Sequence, residues 1–207
     1  MEVFMEKVKN TFFTAKNIAV LAVLVALVVV LQVFGLAIPM PGGTSMSFVL
    51  VPIIVGGMLL GPIAGLLLGL VFGIVTIFDP LALALMNITP VAAVATVVLK
   101  GMLAGLVSAL LFKVVSRKNR YVAAFVAAIA APVVNTGIFF IGCLIMRDAI
   151  VACVGQAFWA FIGLIMINFA IELAINIVLA PAIYSVDNVI EKRLAVKSKR
   201  AKAKVQE

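Results

Sequence analysis

The chain has 207 residues and a mean hydropathy of +1.33; 66% of it is hydrophobic, 12% is charged, and it contains no histidine. So much apolar surface cannot be hidden inside a water-soluble domain of this length, and the composition calls for lipid around the chain. The net charge of +8 is not read as a nucleic-acid signal, because the basic residues cluster between and beyond long apolar stretches, as membrane loops do.

Crossing a bilayer takes ~20 apolar residues per helix, and six stretches answer to this: residues 17–37, 48–60, 62–79, 90–115, 121–146 and 155–186. The second and third are short, so that pair is expected to tilt or only just span. The expected fold is all-α: an integral membrane six-helix bundle, one domain over residues 1–207, with basic tails at 1–16 and 191–207. The first sixteen residues are polar and basic, and the apolar run behind them has full span length, so no cleaved signal peptide is expected. Fourteen of the sixteen Lys and Arg residues fall on one side of such a bundle, with Lys113, Arg117, Lys118 and Arg120 between the fourth and fifth spans. The positive-inside rule places that side, and both termini, in the cytoplasm.

The first span is nearly devoid of polar groups. Ala15 and Ala19, then Ala22 and Ala26, stand four apart, each pair on one helical face. Such a face serves internal packing or the docking of another membrane protein, and spacing alone does not separate the two. An outer loop rich in Pro, Gly and hydroxyls follows at 39–47.

The stretch from Val51 to Gly73 organises the chain. Gly61-Pro62 marks a helix-to-helix turn, since Pro suits the first turn of a new helix and breaks an interior. Gly61, Gly65, Gly69 and Gly73 then recur every fourth residue, a small-residue ladder that lets neighbouring backbones approach closely in lipid. A second outer loop covers 79–90 and holds Asn87.

Three later spans carry polar groups. Lys100 lies in the fourth, Asn135 in the fifth beyond Pro132, and Asn168, Glu172 and Asn176 share one face of the sixth. At ~1.5 Å per residue, Lys100 lies about 15 Å below the outer end of its helix, Asn135 about 16 Å and Asn168 about 20 Å. These form one layer open to the outside, with Glu172 a turn deeper and within reach of Lys100. Ionisable groups in a bilayer usually face a cavity or a partner, so the layer reads either as a binding pocket or as a structural ion pair with interhelical amide bonds. Lys100, Asn135, Asn168 and Glu172, with Asn87 from the outer loop and Trp159 at the head of the sixth span, make the candidate substrate-binding set. Cys143 and Cys153 flank the outer turn and are read as buried apolar residues rather than a disulfide. With no histidine, no phosphate-binding glycine loop and no Cys or Asp cluster at metal spacing, neither an enzyme, a metal site nor a cofactor is expected.

Taken together, SFVLVPIIVGGMLLGPIAGLLLGLVFG, VLKGMLAGLVSALLF, APVVNTGIFFIG and NFAIELAINIVLAPAI, with the alanine-spaced first span, resemble the substrate-binding S components of energy-coupling factor (ECF) vitamin transporters over residues 15–190. The resemblance implies a six-helix monomer in a prokaryotic plasma membrane that captures a vitamin from outside. It further implies partnership with a coupling transmembrane protein and two cytosolic ATPases, with Ala22 and Ala26, and then Ala15 and Ala19, on the docking face. NTGIFF and NFAIELAIN lean toward the pantothenate-type branch; Lys100 suits a carboxylate-bearing cargo, but a Lys100–Glu172 pair would cancel its charge, and folate, riboflavin and cobalamin stay open. The alternative reading is an autonomous secondary transporter or channel, for which internal repeats and ion sites would be expected.

Overall fold

The computed structural model describes residues 14–36, 48–154 and 157–205; Lys7, Lys9 and the outer loop at 39–47 lie outside them. Everything described is helix or turn. Helix α1 spans Ala15–Leu36, α2 Leu50–Leu60, α3 Pro62–Thr76, α4 Pro80–Met86, α5 Pro90–Val115, α6 Arg120–Ile145, α7 Arg147–Val154 and α8 Phe158–Val205.

Four of these (α1, α5, α6 and α8) are long and apolar enough to cross a membrane. The expected third span departs from its predicted course. It stops at Thr76, and the chain bends by 74° into α4, so α3 and α4 form a bent apolar pair, the shape of either a broken span or a re-entrant loop. The physical cause is local: Pro80 can open a helix but cannot continue one, and Asp79 sits extended ahead of it. The expected second span, α2, has 11 residues and covers roughly half of a ~30 Å hydrocarbon core. Between the expected fifth and sixth spans, the residues from Arg147 to Val154 form a separate helix, α7. Helix α8 runs on as 48 residues, well past the expected end at 186.

Local chemistry sets the helix ends. Gly61 takes φ +94°, the left-handed region open to glycine, and closes α2 by donating its N–H to the Gly57 carbonyl before Pro62 opens α3. At the head of α6 the Asn119 side chain accepts from the N–H groups of Tyr121 at 2.9 Å and Val122 at 3.2 Å.

Helix α3 packs along much of its length on α5. Glycine meets glycine there: a Cβ on Gly69 would strike the Gly101 carbonyl, and one on Gly105 would strike the carbonyl of Gly65. Gly73 rests on the Val98 backbone in the same seam, where an added Cβ would lie 2.8 Å from the Val98 Cα. The ladder read from the sequence is therefore an internal seam, with Gly61 serving the turn rather than the contact.

Two apolar clusters divide the interior. One gathers α1, α2, α3, the α5–α6 hairpin and α8 around Leu50, Ile53, Leu68, Phe112 and Ile183. The other gathers α4 to α8 around Leu85, Phe139, Ile150, Phe158 and Ile165.

Candidate functional site: a polar cavity in the membrane layer

A cavity of about 640 Å³, counting its open mouth, lies where six elements converge. Helix α1 contributes Gln32, α3 contributes Phe72 and Thr76, and the head of α4 contributes Asp79 and Ala82. Lys100 comes from α5, Asn135, Thr136 and Phe139 from α6, and Asn168 and Glu172 from α8. Helical periodicity accounts for the convergence, since Asn168 and Glu172 are one turn apart on one face, as are Asn135 and Phe139.

Lys100 is held at the cavity wall by aromatic faces. Its Nζ stands 4.6 Å from the centre of the Phe139 ring and 5.7 Å from that of Phe72, within reach of both ring quadrupoles. Asp79 and Glu172 act on this ammonium as charges at a distance. The pairing of Glu172 with Lys100 expected from their heights is not among the described contacts.

Asp79 is anchored from α1: the Gln32 amide donates to its two carboxylate oxygens at 3.2 and 3.3 Å. Gln32 is 2% exposed, so this bond ties the end of α1 to the bend between α3 and α4. Thr76 Oγ1 turns back to donate to the Phe72 carbonyl at 2.8 Å, satisfying itself within α3. Asn135 lies beside the Glu172 carboxylate. Its Oδ1 is buried and accepts no hydrogen bond from the described residues. Such an orphaned acceptor is costly in a closed interior and is ordinarily met by a ligand or water. One turn below Glu172, Asn176 Nδ2 donates to the Glu172 main-chain carbonyl at 2.8 Å, and its own Oδ1 is likewise without a partner.

Four of the six candidate residues, Lys100, Asn135, Asn168 and Glu172, thus line one cavity. The other two do not line it. Asn87 is exposed at the end of α4, and Trp159 is 69% exposed with its ring edge against Phe158. Gln32, Thr76, Asp79 and Thr136 line the cavity without having been singled out in the sequence. Gln32 could have been, as the lone polar side chain deep in an otherwise apolar first span. Asp79 could not, because only the bend after Thr76 turns it from the outer loop toward Lys100.

The alanine stripe lies on the opposite side of α1 from Leu24 and Val28, which are buried in the core. Ala15, Ala19, Ala22 and Ala26 are all exposed, with Val23, Val30 and Val33 beside them. Cys143 is buried and free.

No curated protein and no solved structure matches the chain. A family model described as "ECF transporter, substrate-specific component" matches residues 16–184, a stretch that contains every cavity residue and runs from the head of α1 well into α8. This multi-pass membrane chain belongs to the family of ECF transporter substrate-specific components, which are binding subunits of transporters and not enzymes.

Proposed function

We propose that the chain captures a small, vitamin-type micronutrient at the outer face of a prokaryotic plasma membrane. It then hands the cargo on by associating with a coupling transmembrane protein and two cytosolic ATPases. The observation that carries this reading is the cavity itself. Charged and amide side chains from five elements converge at membrane depth, where unmatched polar groups are expensive, and Asn135 offers an acceptor that none of the described residues satisfies. Family membership supports the division of labour, since a substrate-specific component binds and its partners supply the energy.

Within this reading Lys100, Asn135, Asn168 and Glu172 contact the cargo, and Gln32 holds Asp79 in place. Alanine at Lys100, Asn135 or Asn168 should weaken cargo binding by about 10- to 150-fold. That is the effect of losing one hydrogen bond to a charged group, roughly 1.5–3 kcal/mol. Thermal unfolding of the same purified variants provides the control. Normal binding with easier unfolding would make the layer structural and place the cargo elsewhere.

The charge distribution supports an orientation with both termini in the cytoplasm, because Lys113, Arg117, Lys118 and Arg120 cluster at the α5–α6 turn. A cysteine replacing Asn119, in a chain lacking Cys143 and Cys153, should be shielded from an impermeant thiol reagent in intact cells. Labelling there from outside would reverse the orientation.

A further inference from the structure

The ionisable groups facing the cavity do not balance. Among the described residues that line it, Asp79 and Glu172 are two acidic side chains and Lys100 is the one basic side chain. In a site walled by apolar side chains and lipid, an uncompensated charge is far more costly than in water.

The hydrogen-bonding groups lean the same way. A carboxylate only accepts, and its two oxygens offer about four lone-pair sites between them. Gln32 occupies part of that capacity on Asp79. Asn135 is 7% exposed, and its Oδ1 adds a further acceptor with no donor. The rings of Phe72 and Phe139 present the faces that attract cations, as the position of Lys100 over them demonstrates. The cavity is therefore rich in acceptors and poor in positive charge. An incoming molecule whose only charge is a carboxylate would add a third negative group against a single lysine.

Resting on the reading of this cavity as the cargo site, we infer that the cargo carries a cationic nitrogen (an ammonium, an amidinium or a charged heteroaromatic ring) and no net negative charge. The cation meets Asp79 and Glu172. Any carboxylate on a zwitterionic cargo meets Lys100. This inference turns away from pantothenate, whose single charge is negative.

The test uses the full-length protein in lipid nanodiscs. It is exposed to the low-molecular-mass fraction of yeast extract, washed and denatured, and the released molecules are identified by mass spectrometry. The expected result is a compound with a cationic nitrogen. Its release should fall about tenfold or more in Asp79→Asn and in Glu172→Gln, both isosteric changes that delete one charge. Thiamine, a fixed cation, and pantothenate, an anion, added at equal concentration report the same preference by competition, and the cation should be the better competitor. Release of pantothenate or another net anion, or of a neutral molecule, would overturn the charge inference while leaving the capture reading intact. Release of nothing above an empty-nanodisc control would overturn the capture reading, and this inference with it.

Discussion

Two stripes of small residues look alike in the sequence and meet opposite fates. Gly65, Gly69 and Gly73 on α3 press against Gly101, Gly105 and Val98 of α5, so closely that a single methyl would collide with main-chain carbonyls. Ala15, Ala19, Ala22 and Ala26 on α1 repeat at nearly the same interval and touch no core. Both satisfy the small-xxx-small rule for close approach of helices in lipid. The residue type separates them. Glycine is required where a partner's backbone already occupies the Cβ position, and it carries a helix-propensity cost of about 1 kcal/mol relative to alanine. Alanine keeps a helix regular while leaving a shallow face for something outside the chain. A stripe of one kind closes the molecule on itself, and a stripe of the other kind leaves it open.

The largest expected effect follows from the closed stripe. Gly69→Ala or Gly105→Ala places a methyl against a carbonyl of the facing helix, which cannot move without shifting the backbone. Each should cost about 1–3 kcal/mol in stability, and the double variant should yield little folded protein. Thermal denaturation in detergent, followed by size-exclusion fluorescence, measures this. Unchanged stability in the double variant would mean that the α3–α5 seam is looser than its geometry states.

The open stripe has a narrower consequence. Ala22→Trp and Ala26→Trp should leave the purified protein folded and its affinity for cargo unchanged, because neither residue reaches the core or the cavity. Uptake in cells should nevertheless collapse, since a flat face cannot seat another helix over an indole. Loss of affinity in either variant would show that this side of α1 packs inside the molecule. Accumulation of cargo by liposomes containing this chain alone would remove the need for a docking face altogether.

The same contrast shows what could be read before any coordinates. Helices α5 and α6 lie almost where apolar length put them, because each is a long apolar run with clear ends. The polar layer was legible because polar groups are scarce in these spans: Lys100, Asn135, Asn168 and Glu172 stand out against their apolar surroundings, and their heights follow from helical rise. The bend after Thr76 was not legible. A Pro at position 80 allows either a span that ends in water or a chain that doubles back along the cavity, and only the packing of α4 on α5 decides between them. Asp79 was consequently placed in an outer loop when it faces Lys100's cavity, and the charge balance of the site was misjudged by one carboxylate. Trp159 misled for a different reason. An aromatic near the membrane surface can line a pocket or anchor at the interface, and at 69% exposure it does not line this one.

The smallest effect provides the sharpest control on the comparison. Gly137 on α6 and Gly163 on α8 are glycines in spanning helices, as Gly69 and Gly105 are, yet a Cβ on either meets nothing within 4 Å. If the α3–α5 glycines matter because of contact, and not because membrane helices need glycine as such, Gly137→Ala and Gly163→Ala should be harmless. Alanine's better helix propensity should even raise stability, by up to about 1 kcal/mol in an interior position. The melting temperatures of these two variants, set beside those of Gly69→Ala and Gly105→Ala in the same detergent, separate the explanations. Destabilisation of similar size at all four positions would point to backbone flexibility as the common need and would remove the argument from close approach. Neutral or stabilised variants at 137 and 163, with losses at 69 and 105, would assign the cost to the carbonyls of the facing helix.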